Sequence, residues 1–187
     1  MEFGLIAPVA ILMLIGTADA GHNYYARTVL DGAMQEAARD SSLEGAAVQV
    51  QQDIIDKKIA ESVKTVAPGA VITPVRRYYK TFSAAAAAKA EEWTDTPTDL
   101  DGICNNGEPY IDANNNEQWD ADGGTGGQGG AQDVVIIKVN VTYKRLFPMA
   151  KFLGFPEYVT ISSNSILANQ PYGDQAKFGP AQQRNCT

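Results

Sequence analysis

The sequence predicts an α+β protein in which one long N-terminal helix precedes a small antiparallel sheet carrying a long acidic and glycine-rich loop. Three observations support this fold class. Residues 3–18 are wholly apolar, and residues 26–66 then repeat apolar side chains at steps of three and four. Two later segments, 133–143 and 158–167, alternate apolar and polar residues as half-buried strands do.

The first segment, Phe3 to Ala18, has no charged residue. As a helix it would span about 24 Å, somewhat less than the ~30 Å hydrocarbon core of a bilayer. A buried core helix or a cleavable signal peptide are the alternatives, but a signal peptide starts with a basic region and ends at a composition break. We therefore expect residues 1–25 to form a retained, weak membrane anchor.

The amphipathic segment, residues 26–66, is predicted to continue the same helix. Apolar residues recur from Val50 to Val66, with charged residues between them, and Pro68-Gly69 ends the pattern. The simplest interpretation is one helix from near residue 3 to near residue 65. Its later part is expected to pack one face on a head domain, residues 67–187.

The secondary structure of the head is predicted from the alternation of apolar and polar residues, from the alanine content and from turn residues. A polar, irregular tail follows residue 168. The predicted elements are a strand at 70–75, a helix at 83–93, strands at 133–143 and 158–167, and an apolar turn or short helix at 146–153.

Composition limits the function classes. A net charge of −7 argues against a nucleic-acid partner, since phosphate binding needs a clustered positive surface. The only histidine, His22, follows the apolar run and is expected to mark the membrane boundary or a helix face. The sequence has no Gly-x-Ser-x-Gly and no phosphate-binding glycine motif. We therefore expect a protein that is not an enzyme.

A connection of unusual length, residues 94–132, precedes the main strand. It contains eight acidic residues from Asp95 to Asp122 and no Lys or Arg, and it ends in the glycine-rich stretch 123–130. Two interpretations remain open at this stage. The loop is either a flexible, solvated insertion or a segment folded around something other than a hydrophobic core.

Within this loop, oxygen-bearing side chains occupy alternate positions, the spacing by which calcium loops of the EF-hand kind surround one cation. These residues are Asp112, Asn114, Asn116, Gln118, Asp120 and Asp122. Glu117 stands where such loops have glycine, and Gly123 where they have a bidentate glutamate, so a further oxygen would come from Asp101 or Glu108. The pattern predicts a structural calcium ion, and the alternative is an acidic, asparagine-rich turn.

Two cysteines, Cys104 and Cys186, lie far apart in the sequence. Cysteine pairs in exported chains usually form disulfides. If the chain is exported, we expect a bridge that ties the C-terminal tail to the acidic loop.

Glu2 is a carboxylate at the head of an apolar helix, which is costly in lipid unless it is paired. The helix dipole stabilises it, and the terminal amine of a neighbouring subunit can neutralise it. Glu2 is therefore predicted to set the register between subunits, unless it stays at the membrane interface.

The N-terminal block resembles TadE/TadG-like proteins, the pseudopilins of tight-adherence (type IVc, Flp-type) pili. The matching positions are Glu2-Phe3, Ala7-Pro8, Asp19, Gly21, Tyr24-Tyr25 and Ala38-Arg39. Later stretches also resemble longer members of this family: ITPVRRYYKTF (72–82), DANNNEQWDAD (112–122), GGQGGAQDVV (126–135), YKRLFP (143–148) and NQPYG (169–173).

The resemblance implies a pilin-like fold and residence in the inner membrane before assembly. It further implies assembly into an extracellular filament with copies of itself or with other pilins, in which Glu2, Phe3 and Pro8 serve assembly. It also implies a precursor whose leader peptide is cut off after a glycine. This sequence departs from that pattern, because no such leader precedes Glu2 in it. Two alternatives are a membrane-tethered, calcium-dependent adhesin that forms no filament, and an anchored hydrolase, which would need a pocket with a perturbed acid or base.

Overall fold

The computed structural model describes residues 2–42, 49–96, 100–147, 154, 156–170 and 173–187. Its first two elements are helices α1, Glu2–Ser41, and α2, Gln49–Val66. Ser42 is a turn residue, and residues 43–48 lie outside the described part. The prediction of helix up to about residue 65 is confirmed for residues 49–66, but the prediction of one continuous helix was wrong, because α1 and α2 are separate helices.

Helix α2 runs antiparallel to α1. Lys58 Nζ lies 2.7 Å from the Asp40 carboxylate near the end of α1, while His22 Nε2 lies 3.1 Å from the carbonyl O of Val66 at the end of α2. The reversal follows the Ser41-Ser42 pair, residues that favour turns over helix interiors. It lets two apolar stripes share one interface, formed by Ala26, Leu30, Met34 and Ala37 of α1 and by Ile55, Ile59 and Val63 of α2.

Among the described residues, six strands follow, in two sheets. A four-stranded sheet has the order β3-β1-β4-β5, and a two-stranded antiparallel sheet pairs β2 with β6. The small antiparallel sheet and its two alternating strands are confirmed. The strands are β1 Val71–Tyr79, β2 Pro109–Asp112, β3 Thr125–Gly126, β4 Val134–Lys144, β5 Tyr158–Ala168 and β6 Gln182–Asn185.

The alanine-rich helix is shorter than predicted: α3 covers only Phe82–Ala87. Thr81 caps it, accepting a hydrogen bond from Ala84 N, and Ala88 ends it in the left-handed conformation with φ 41°. The tail was predicted to be irregular but contains β6. The predicted apolar turn at 146–153 lies largely outside the described residues.

The chain divides into two compact units. The first contains residues 1–40, 50–74 and 138–165, and the second contains 41–49, 75–137 and 166–187. Strands β1, β4 and β5 each contribute residues to both units. The acidic and glycine-rich loop lies entirely in the second unit.

The glycine-rich stretch is folded where close approaches require glycine. A Cβ on Gly124 would stand 2.6 Å from the Tyr79 ring, and a Cβ on Gly129 would stand 2.7 Å from the Tyr78 ring. Gly129 also has φ +66°, a conformation that side chains disfavour. Gly124 and Gly129 therefore pack closely against the two tyrosine rings, and both interpretations of the loop stay predictions.

Candidate functional site

The N-terminal half of α1 presents apolar side chains that are not covered by the rest of the chain. Phe3, Met13 and Leu14 are 83%, 70% and 71% exposed. Pro8 is also exposed; it lies inside the helix and has no N–H to donate to the carbonyl of Gly4. None of the helices in the described part of the chain is both long and apolar enough to cross a membrane.

The exposed half of α1 ends at a polar cluster. The Asp19 carboxylate pairs with the Arg145 guanidinium beyond the end of β4, and both side chains are mostly buried. The Tyr143 hydroxyl donates to Asn23 Oδ1 at 2.6 Å, and the His22 ring lies edge-on to the Tyr143 ring. These contacts attach α1 to the first unit where its exposed apolar half ends.

The same cluster bears on the expectation for His22 and on the protonation of Tyr143. His22 lies on a helix face, and its ring nitrogen Nε2 contacts the carbonyl of Val66. This carbonyl is at the end of α2 and has no partner within that helix, so the contact stabilises the helix end. Burial, and secondarily the nearby Asp19 carboxylate, raises the pKa of Tyr143, so its hydroxyl keeps the proton that it donates to Asn23.

Of the predicted assembly residues, the structure places Phe3 and Pro8 on the exposed surface of α1. The backbone of Glu2 belongs to the first turn of this helix, but its side chain lies outside the described atoms. The predicted pairing of the Glu2 carboxylate stays a prediction.

Within the acidic loop, the segment that follows β2 folds around the buried Asp112 carboxylate. Asp112 Oδ1 accepts from Asn116 N at 3.1 Å, and its Oδ2 accepts from Glu117 N at 3.0 Å. Asp120 Oδ2 accepts from the side-chain amides of Asn114 and Asn116, at 2.8 and 2.7 Å. Four of the six predicted ligands therefore lie in one hydrogen-bonded network.

The remaining two predicted ligands connect to that network through other groups. Gln118 is exposed, and only its backbone N–H joins the loop, donating to Asn116 Oδ1. Asp122 pairs with Arg77, which also binds Asp120. The candidates for a further oxygen are used locally: Asp101 accepts from Ile103 N and the Asn105 side chain, and Glu108 accepts from backbone N–H groups.

Sequence reasoning missed three charged residues that complete the network. Arg184 Nε binds Asp112 Oδ2 at 2.7 Å, Arg77 binds Asp120, and the buried Glu91 accepts from Ala113 N and Asp120 N. Burial raises the pKa of Glu91, and the nearby Asp120 and Asp112 carboxylates raise it further against the lowering effect of its two backbone donors. No local pattern links these residues to the loop.

Within the described residues, no three His, Cys, Asp or Glu side chains come together in a way that could hold a metal ion. The loop backbone nevertheless has one feature of calcium loops. Glu117, at the position of their glycine, has φ +66°, the left-handed conformation that the glycine normally supplies.

The predicted disulfide is present between Cys104 and Cys186, whose Cα atoms are 5.5 Å apart. Backbone hydrogen bonds continue the connection: Cys186 N donates to Glu108 O at 2.8 Å, and Gly107 N donates to Cys186 O at 3.0 Å. The bridge therefore links the segment that follows β6 to the acidic loop, as predicted.

Comparison with known proteins bears on the N-terminal helix. Residues 1–39 match the family model "TadE-like protein". The match ends two residues before α1 does, so it covers both the exposed apolar half and the polar cluster at Asp19. The resemblance to TadE-like proteins is confirmed for this segment, and it indicates a pilin-like protein associated with Tad pili. No curated protein and no solved structure showed significant similarity to the chain.

Proposed function

We propose that the chain is a structural pilin-like subunit that assembles through the N-terminal half of α1 into a Tad-type filament at the cell surface. The observation that carries this proposal is the asymmetry of α1. Its first half exposes large apolar side chains, while its second half buries one face, including Leu30 and Met34, in the first unit. Large apolar side chains exposed together on one helix favour a partner that covers them. The TadE-like match to residues 1–39 supports a neighbouring pilin helix as that partner.

In this proposal the apolar half has two successive environments. It lies in the inner membrane before assembly and against the corresponding helices of neighbouring subunits afterwards. An apolar run shorter than the hydrocarbon core suits a subunit that must leave the bilayer. The head, which carries the disulfide, then faces the outside of the cell.

A photo-crosslinking amino acid at Leu14 tests the assembly surface directly. In filaments sheared from the cell surface, we expect Leu14 adducts to join subunit to subunit, because this position is exposed on the apolar half. The matched control is Gln35, an exposed polar position on the same helix. Adducts to lipid alone at Leu14, with no protein adduct, would contradict filament assembly and favour the membrane-tethered adhesin.

The role proposed for Glu2 has its own test. Glu2→Ala should reduce the amount of this chain found in sheared filaments while the disulfide and the head fold persist. Glu2→Gln, which keeps the size and removes the charge, separates charge pairing from shape. Normal incorporation of both variants would remove the proposed pairing with a neighbour's terminal amine.

We also propose that the chain has no catalytic activity. Its only histidine is engaged with the end of α2, and the carboxylates of the acidic loop accept backbone and amide hydrogen bonds. Such groups stabilise a fold and are poorly placed for proton transfer to a substrate.

Calcium remains a proposal for the acidic loop, as a structural ion. The left-handed Glu117 and the backbone bonds to Asp112 support it, and binding would require the Asn114 and Asn116 amides to turn their oxygens toward the ion. We expect calcium to protect residues 94–130 from protease and chelation to expose them. Asp112→Asn should abolish this difference, and equal cleavage of the unmodified chain with and without calcium would reject the proposal.

A further inference from the structure

A cavity of about 330 Å³ opens in the second unit beside the disulfide. Its wall includes Trp119 and Gln118 of the acidic loop, Asn185 of β6 and the bridged Cys104 and Cys186. This volume is at the lower end of the range for small-molecule sites, so the cavity suits a single ring rather than a larger ligand.

One part of the wall is apolar. The Trp119 indole N–H already donates to Glu91 O at 3.1 Å, and tryptophan has no other polar atom. Trp119 therefore contributes carbon surface to the cavity. The Trp93 ring, 6.2 Å away and perpendicular, supports it in an edge-to-face arrangement. The disulfide adds a second apolar surface.

The other part of the wall carries neutral amides. Gln118 and Asn185 are exposed residues that line the cavity, and each side chain both donates and accepts hydrogen bonds. Glu117 adds a carboxylate that only accepts, and Arg184 Nη2 is 3.2 Å from it. Side chains that both donate and accept hydrogen bonds can pair with hydroxyl groups, because a hydroxyl group also donates and accepts hydrogen bonds.

The charges exclude two other ligand classes. No Lys, Arg or His is among the described residues that line the cavity, so an anion would meet no positive charge. The Glu117 side-chain carboxylate in the wall is already paired with Arg184, which weakens its attraction for a cation. A neutral ligand with one apolar face and several hydroxyls fits both walls.

The backbone at Glu117 gives independent support. Its φ of +66° would be unstrained in glycine, yet the position carries a long polar side chain, and the residue lines the cavity. Strained non-glycine residues of this kind concentrate at binding sites.

We propose that this cavity binds a neutral sugar ring, with the C–H face of the ring against Trp119 and its hydroxyls on Gln118, Asn185 and Glu117. The proposal concerns the second unit and does not depend on filament assembly. It assigns recognition of a neutral glycan to the head.

Saturation-transfer NMR tests this with the full chain, kept in solution by a detergent without a sugar headgroup. The probes are the methyl β-glycosides of glucose, galactose and N-acetylglucosamine, each titrated to about 50 mM because one small polar ligand binds in the millimolar range. We expect saturation of at least one probe. Gln118→Ala and Asn185→Ala should each weaken it about tenfold, the effect of losing one side chain's hydrogen bonds.

Gln35→Ala is the matched control, since it removes the same amide from an exposed position on α1. It should leave binding unchanged. The proposal is overturned if none of the three glycosides binds, or if binding survives both cavity variants at full strength. A loss of binding in Gln35→Ala equal to that in Gln118→Ala would also overturn it, because the contact would then be unspecific.

Discussion

The interiors of the two units differ in kind. Among the described residues, the fully buried ones of the first unit are all hydrophobic, from Leu30 and Met34 of α1 to Tyr143 of β4, while the Asp19–Arg145 pair there is mostly buried. The second unit has an apolar part around Val135 and Ile137, but it also holds all of the buried polar and charged residues. These are Ser41, Glu91, Glu108, Asp112, Asn114, Asp120, Gln128 and Asp133.

The difference follows from local sequence. The first unit has two amphipathic helices whose apolar stripes remove area from water on contact. The long loop of the second unit has no apolar period, so it relies on hydrogen bonds, ion pairs and a disulfide. Buried carboxylates of this kind stabilise a fold only while each keeps its partners.

The largest expected effect is at Asp133, in the second unit. Its carboxylate accepts from Lys80 Nζ at 3.0 Å, from Gly130 N at 2.8 Å and from the Gln175 side chain at 2.9 Å. Asp133→Ala leaves Lys80 without its counter-ion and should destabilise this unit by about 4 kcal/mol. Hydrogen exchange of β4 residues 134–137 measures the loss.

The control for Asp133 is Lys58→Ala, which removes an exposed ion pair with Asp40 in the first unit. Exposed pairs contribute little, so no measurable loss is expected. If Asp133→Ala left hydrogen exchange as unchanged as the control does, the buried polar residues would not contribute to the stability of the second unit.

The next largest effect is at Leu30, which is fully buried in the first unit. Leu30→Ala removes buried methyl groups and leaves a cavity, so we expect α1 and α2 to lose about 3 kcal/mol of stability by hydrogen exchange. Leu14→Ala makes the same change on the exposed half of α1 and should leave the exchange rates as they are. Equal effects at the two positions would mean that Leu14 is also packed.

Removing the disulfide should have a smaller effect, confined to the second unit. The bridge closes a loop with a sequence separation of 82 residues, which constrains the unfolded chain. Cys104→Ala with Cys186→Ala should cost about 2 kcal/mol, the lower end of the usual range, because the backbone bonds between β2 and β6 remain. Faster exchange in α2 after reduction would contradict this confinement.

The smallest effect is a pH dependence at Glu108. Donation from Thr96 N, followed by that from Asn105 N, lowers its pKa below the ordinary value of 4.5, whereas burial raises the pKa of the adjacent Asp95 above 3.8. The lowered pKa means that the unfolded chain binds the proton more tightly. Glu108 therefore contributes stability that is present above about pH 4.5 and is lost as the pH falls through its folded pKa.

Denaturation of the unmodified chain and of Glu108→Gln at several pH values checks this sign. The difference in stability between them should shrink as the pH drops below 4.5. Asp95 and Asp101 face the same carboxyl group, and the raised pKa of Asp95 acts in the opposite direction. A difference that grows on acidification would mean that the Asp95 contribution dominates.

Much of the local structure could be predicted from the sequence. The alternation of Val135, Ile137, Val139 and Val141 predicted β4, and the two cysteines predicted their bridge. The end of α3 at Ala87 could not be predicted, because a run of alanines favours a helix wherever it stands. Among the loop residues, Asp112, Asn114, Asn116 and Asp120 come together, whereas Gln118 does not join them.

By itself, the sequence determined the helical N-terminal region, the two alternating strands β4 and β5, and which half of α1 is apolar all round, because these properties depend on neighbours within a few residues. The tertiary structure decided that α2 turns back along α1. It also decided that Arg184 meets Asp112 across 72 residues and that Glu91 enters the acidic loop. Such pairings join distant segments, and no period along the chain records them.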